Sequence, residues 1–448
     1  MSTLAENSGH VGDYPLAIAF LALLTLADNT LANTLPIVLG PVPPQVPGYW
    51  NLTTAALVVS VVSDLIGQLV LIPLIDRYGY GHAMKINSFG VFMASVYSLI
   101  SLYWGADGSA WALAIASIFK LLGGGSHTTV FLTIALIRKS TSSYSRAALI
   151  YTTGAVVVLC QTIASSVSQL PARQNPILAY LIAISCCILA GVIAIIYEPL
   201  SNQAYDGERA SDPSAQPLIP LVNPDQDTPP ATLWGFLGMY SRGWRMTHSG
   251  TRRVLKSLGI IFFLAAVAKA TRPLFLTYIQ HRVGVSAEAS GLWLVRTVMS
   301  LGIFAVLLPL AVILLIKYTS ALPSTIGLYT GKVSIVLLAI GALLIGLARS
   351  QPVLVLGLLI NTLGVAADLA LLAFAADAVT GDTASCFFMA IASLESGGTL
   401  AGIGLLYPLY QISLNDKTLF GGIPYYICAG LFAISGVIAW RIRPLLNS

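Results

Sequence analysis

The chain has 448 residues, of which 56% are hydrophobic and only 9% charged, with a formal net charge of +5 and a mean hydropathy of +0.82. Ordinary soluble domains carry about 25% charged residues, so a water-soluble globule is excluded and lipid is the solvent. The basic residues are scattered without a dense run, which excludes a nucleic-acid surface.

A helix needs about 20 apolar residues to cross ~30 Å of hydrocarbon. Twelve stretches meet that length, so an all-α membrane protein is expected. In the first half they fall near 15–38, 53–75, 84–104, 110–136, 147–169 and 176–197; in the second, near 256–280, 288–315, 324–347, 352–376, 385–410 and 423–441. The opening MSTLAENSGHVGDYP has no Lys or Arg, so the positive region of a cleaved signal peptide is missing and the first apolar run is expected to stay as a membrane helix. The expected organisation is a tail (1–14), a six-helix bundle (15–197), a flexible linker (198–254), a second six-helix bundle (255–441) and a tail (442–448). The linker centre, PSAQPLIPLVNPDQDTPPAT, is too polar and proline-rich to bury a core. Its end, LWGFLGMYSRGWRM, fits either an interfacial amphipathic helix or a plain juxtamembrane loop.

Orientation follows from the basic residues. With both termini cytoplasmic, the inside face receives Arg77, Lys85, Arg138, Lys139, Arg146, Arg209, Arg242, Arg245, Arg252, Arg253, Lys256, Lys317, Arg441 and Arg443, whereas Arg173, Arg282, Arg349 and Lys417 fall outside. The acceptor Asn51-Leu52-Thr53 then lies in an outside loop, as glycosylation requires.

Charges within membrane helices are costly and turn towards a protein interior or a water-filled cavity. Ser60, Asp64 and Gln68 repeat every fourth residue on the second segment; Asp28, with Asn29 and Asn33, lies on the first. Lys120, Gly124 and His127 share a face of the fourth, Lys269 and Arg272 lie on the seventh, and Arg296 lies four before Ser300 on the eighth. Lys332 is in the ninth, Asn361 and Asp368 in the tenth and Glu395 in the eleventh. Asp28, Asp64, Gln68, Lys120, His127, Lys269, Arg272, Arg296 and Glu395 are the candidates for a substrate or proton pathway; structural ion pairing is the competing role for each. The first-half acids Asp28 and Asp64 are expected to face the second-half bases Lys269, Arg272 and Arg296 across a central cavity.

Gly123-Gly124-Gly125 interrupts the fourth segment, and Gly398 with Gly402 forms a small-xxx-small pair on the eleventh that suits close helix packing. The five cysteines lie in apolar runs, with no spacing for zinc or a disulfide framework. No phosphate-binding loop and no hydrolase or zinc-protease motif occurs, so neither ATP hydrolysis nor another enzymatic activity is expected, and no metal or cofactor. A gradient-driven carrier remains.

The turn Asp76-Arg77-Tyr78-Gly79 between the second and third segments matches the D-R-x-G part of the loop signature of the major facilitator superfamily; Ile72, Tyr80 and Gly81 depart from its flanks. FKLLGGGSHTTVFLTIALI, RTVMSLGIFAVLLPLAVILL and GGIPYYICAGLFAISGVIAW resemble segments four, eight and twelve of filamentous-fungal members. The resemblance implies two pseudo-symmetric six-helix bundles with substrate between them near the midplane. It implies that Asp76, Arg77 and Gly79 form a cytoplasmic gate. It further implies proton-coupled efflux of a fungal secondary metabolite or toxin by a monomer in the plasma membrane, in contact with lipid and a small-molecule substrate. The fifth segment lacks the repeated-glycine antiporter signature, so import of a nutrient or organic anion stays open, as does a non-transporting sensor or scaffold.

Overall fold

In lipid, every backbone polar group has to be satisfied inside its own segment, which leaves helices as the structure available to apolar runs of this length. The computed structural model describes residues 13–39, 52–104, 115–141, 143–172, 175–211, 249–275, 278–279, 282, 289–319, 322–379, 384–414 and 419–443. Among them are twelve helices long and apolar enough to cross a membrane. In the first half these are α1 (Tyr14–Thr34), α2 (Thr54–Ile75), α3 (Tyr78–Tyr103), α4 (Ser117–Arg138), α5 (Ser145–Ser168) and α6 (Pro176–Tyr197). In the second they are α7 (Arg252–Leu274), α8 (Val295–Tyr318), α9 (Pro323–Leu347), α10 (Gln351–Ala378), α11 (Ala384–Gln411) and α12 (Ile423–Arg441). The chain is an integral, multi-pass membrane protein. The side where α1 starts and α12 ends is the near face.

Each half is a six-helix bundle. In the first, α1 packs on α4, α5 and α6; in the second, α7 packs on α11 and α12, and α9 on α10 and α12. The halves meet through α2, α4 and α5 against α8, α10 and α11. Helices α4, α7 and α11 are the most enclosed, whereas α6 and α8 turn Leu181, Ile188, Ile195, Val298, Val306 and Ile313 outward, as a lipid-facing surface requires.

Hydroxyls inside the membrane solve their own hydrogen-bonding problem. Thr34, Ser98, Thr133, Ser300 and Thr362 each donate to the carbonyl four residues back, at 2.7–2.9 Å. Small residues do the close packing. A Cβ on Gly398 would sit 2.5 Å from the Phe263 carbonyl oxygen, and one on Gly402 would sit 2.5 Å from that of Val267 and 2.6 Å from the Ala270 Cβ. The α11 glycine pair therefore nests on Ala266 and Ala270 of α7, which draws α7 close to α11.

Four helices are broken in mid-membrane. α4 begins as a 3-10 turn, Ser117–Leu122, and restarts as an α-helix at Gly125. α7 ends its regular part at Lys269 and resumes as the short 3-10 turn Arg272–Leu274. α10 passes through a 3-10 turn, Gly364–Ala366, before Ala367–Ala378. α8 widens to a π-helix over Ile303–Leu307, just ahead of Pro309, which has no N–H to donate to the ladder.

Two boundaries differ from the sequence reading. The helix that contains α6 continues to Ser211, into the segment read as linker, and the helix that contains α7 already begins at Ser249. The linker centre, the LWGFLGMYSRGWRM stretch and Asn51 lie outside the described residues.

Candidate functional site: a charged seam across two bundles

The breaks place the charges. Three successive glycines, Gly123 to Gly125, end the 3-10 part of α4, and two of them have left-handed backbone, with φ of 73° at Gly124 and 68° at Gly125. A helix starts here with exposed N–H groups and the positive end of its dipole. Asp28 of α1 fills that position. Its Oδ2 accepts the Ser126 N–H at 3.0 Å and the Ser126 hydroxyl at 2.7 Å. Its Oδ1 lies 2.5 Å from Lys120 Nζ, and both side chains are buried. Lys120 itself occupies the last turn of the 3-10 piece, where the carbonyl end favours a cation. Asp64 stands on the other side of Gly125, a Cβ on which would lie 3.1 Å from both Asp28 Oδ2 and Asp64 Oδ1. Asp64 interacts electrostatically with Lys120, Asp28 and His127, and its Oδ1 is buried without a hydrogen-bond donor.

The second half repeats this arrangement with the signs exchanged. Lys269, in the last turn of the regular part of α7, pairs with Asp368, in the first turn of the restarted α10. Each bundle thus joins its first helix to its fourth by an ion pair: acid to base in α1 and α4, base to acid in α7 and α10. All four charges sit at the helix end whose dipole suits them.

Two hydrogen bonds cross between the bundles at this depth. His127 Nε2 lies 3.0 Å from Glu395 Oε2, and Gln68 Oε1 accepts from the Ser396 hydroxyl at 3.0 Å. Gln68 Nε2 also lies 3.4 Å from His127 Nδ1, so the four groups form one chain. The His127 side chain is 40% exposed and Glu395 13%, although both lie deep between the bundles; the seam borders solvent-accessible space.

A small cavity, about 40 Å³, lies inside the second bundle around the α7 break. Lys269, Arg272, Arg296, Asn361, Tyr425 and Cys428 line it, with apolar walls from Phe275, Leu338, Ala342, Ile345 and Phe432.

At the near face, Arg138 donates through Nε and Nη2 to the Val379 carbonyl, at 3.2 and 2.9 Å, and Arg146 pairs with Asp377. These two arginines of the first bundle hold the C-terminal end of α10. Asp76, Arg77 and Gly79 lie where α2 passes into α3; Gly79 alone breaks the helical backbone there, with φ 82° and ψ 177°. The side chains of Asp76 and Arg77 lie outside the described residues.

The ion pairs form within the bundles and not between the first-half acids and the second-half bases: Asp28 pairs with Lys120 and Lys269 with Asp368. A carboxylate and a lysine on adjacent packed helices of one bundle meet at contact distance. The contact that does cross, His127 to Glu395, joins two candidates whose partnership the spacing did not suggest. Lys332 is accounted for locally: Nζ donates to the Ile442 carbonyl at 2.9 Å and lies over the rings of Tyr329 and Trp440. Sequence reasoning missed Ser126, Ser396, Asn87 and the Arg138, Arg146 and Asp377 cluster. Asn87, which donates to the Gly125 carbonyl at 3.1 Å and to Thr129 Oγ1 at 2.8 Å, was legible as a polar residue in an apolar run.

No protein-family model matches the chain, and no curated protein matches it in sequence. Solved structures do share its fold. The proton:xylose symporter XylE of E. coli superposes with a TM-score of 0.67 at 15% identity, over 97% of this chain and 96% of that one. The human organic anion transporter MFSD10 gives 0.63 at 18%, covering 97% and 99%. The E. coli fucose:proton symporter FucP gives 0.62 at 10%, covering 97% and 100%. The chain has the fold of the major facilitator superfamily: twelve membrane helices in two pseudo-symmetric bundles.

Proposed function

We propose that the protein is a secondary active transporter that moves a small organic molecule by alternating access and couples that movement to protons. The observation that carries this is the seam His127–Glu395 with Gln68–Ser396. It joins the two bundles at mid-depth by titratable and neutral hydrogen bonds, next to solvent-accessible space. Protonation of Glu395 weakens its bond to a protonated His127, so proton arrival and bundle separation are linked. That the fold's counterparts include proton symporters of sugars and an organic anion transporter supports the same reading.

Direction, cargo and membrane belong to the proposal as well. The resemblance of segments four, eight and twelve to fungal carriers favours efflux of a secondary metabolite or toxin from a plasma membrane. The excess of Lys and Arg at the near face makes that face cytoplasmic. Asn51 is then an outside glycosylation acceptor. Asp76, Arg77 and Gly79, together with Arg138 and Arg146, form the cytoplasmic gate.

The test is reconstitution in proteoliposomes with a pH dye inside. Addition of a transported solute should move protons, and an imposed pH gradient should concentrate the solute on one side. Solute flux indifferent to the gradient removes proton coupling; no flux of any solute, with folded protein, removes the carrier.

A further inference from the structure

The cavity in the second bundle has an unusual charge content. Three cationic side chains, Lys269, Arg272 and Arg296, line it, and no carboxylate does. Lys269 is engaged by Asp368, which lies outside the lining. Arg272 interacts electrostatically with Asp368 and Glu395, and Arg296 interacts repulsively with Arg272. Two guanidinium groups lining one small cavity repel each other, and an oxyanion seated between them relieves that repulsion.

We infer that this cavity, centred on Arg272 and Arg296, is the binding site for an oxyanion head group, a carboxylate or phosphoryl, of an organic molecule. Guanidinium forks match such groups with paired hydrogen bonds, which the ammonium of a lysine cannot do. Asn361 and Tyr425 supply further polar partners on the same walls. The volume agrees: about 40 Å³ holds roughly three waters, close to the size of a carboxylate or phosphoryl group but far below that of a whole organic solute. The body of the ligand therefore extends out of the cavity. The break in α7 gives it a way: Arg272 is exposed and Pro273 beside it is exposed as well. The inference rests on the carrier reading only in calling this ligand a cargo; the site itself is a statement about binding.

The test is calorimetry on the full chain in nanodiscs of zwitterionic lipid, with benzoate and phenylphosphonate against their neutral and cationic counterparts, benzamide and benzylamine. The anions should bind, and the other two should bind at least tenfold more weakly. Arg272→Gln and Arg296→Gln should each weaken benzoate binding by about 10- to 100-fold, the loss of a charge-assisted hydrogen bond. Because removing either charge can upset folding, Arg296→Lys is a second probe: weaker benzoate binding at an unchanged melting temperature. Equal binding of benzamide or benzylamine, no binding of any anion, or native benzoate affinity in both glutamine variants overturns the site. Anion binding without anion flux in proteoliposomes removes the anion as cargo and leaves the site standing.

Discussion

The mirrored ion pairs make a prediction about sign. Asp28 lies against the start of the restarted α4, and Lys120 lies at the end of its 3-10 piece. If helix ends dictate which residue is acid and which is base, exchanging the two residues must not be neutral. Lys120→Met leaves Asp28 ionised in a buried site, a loss of about 3–5 kcal/mol. Adding Asp28→Asn removes that unpaired charge and recovers part of the loss. The exchanged double variant, Asp28→Lys with Lys120→Asp, keeps the pair but turns both helix-end interactions from favourable to unfavourable. At about 0.3–1 kcal/mol per charge and end, two reversals amount to about 1–4 kcal/mol, and the bonds from Ser126 to Asp28 are lost besides. The assay is the ranking of melting temperatures in nanodiscs: wild type highest, exchanged double clearly below it, Lys120→Met lowest or level with the exchanged double. A shift of roughly 2 °C per kcal/mol makes the first gap measurable. An exchanged variant that melts with the wild type refutes the argument that helix ends set these signs.

Three further outcomes follow from the same geometry. Glu395→Gln removes the charge that faces His127 but not its hydrogen-bonding shape, so melting should move by less than about 1 kcal/mol while proton-coupled flux falls tenfold or more; retained coupling excludes Glu395 from the proton path. Gly125→Ala forces a side chain into left-handed backbone beside two carboxylate oxygens, and should cost about 1–3 kcal/mol, whereas Gly404→Ala, which meets nothing within 4 Å, should leave melting within about 0.5 kcal/mol or raise it; equal effects refute the backbone argument. Arg146→Ala removes the ion pair to Asp377 at the near face, so spin labels at exposed His82 and Lys317 should show a longer distance distribution than in the parent; an unchanged distribution means Arg146 does not hold the bundles together.

What the residue order revealed depended on range. Twelve helices were legible because lipid imposes a length and a composition on each one separately. The α4 break was legible because three consecutive glycines mark it. The α7 break was not, since Ala270-Thr271 carries no glycine and Pro273 lies beyond it. Charged residues stood out one by one, yet their partners did not: Lys269 is 99 residues from Asp368, and His127 is 268 from Glu395. Periodicity reports which face of its own helix a residue occupies, not which other helix that face meets. Ser126 and Ser396 were invisible for a further reason, because serines in membrane helices commonly bond their own backbone and give no sign of a distant partner.

The division between bonds within and between bundles bears on how the molecule can move. Lys120–Asp28 and Lys269–Asp368 each tie two helices of one bundle; breaking the first strands a buried charge at several kcal/mol, whereas the second is only half-buried and costs less. Each pair therefore resists separation of the two helices it joins. The bonds that cross at mid-depth are of another kind. His127–Glu395 and Gln68–Ser396 contribute about 1.5–3 and 0.5–1.5 kcal/mol respectively, and His127 already borders solvent that can take over its bond. Roughly 2–4.5 kcal/mol at the seam is the size of gap that keeps a second conformation within thermal reach. The pairs within each bundle thus hold its shape, and the weaker seam bonds resist parting at mid-depth, while the buried Arg146–Asp377 pair also crosses and has to part before the near face opens. An anion added at Arg272 or a proton at Glu395 acts on the mid-depth seam, the smaller of these energies.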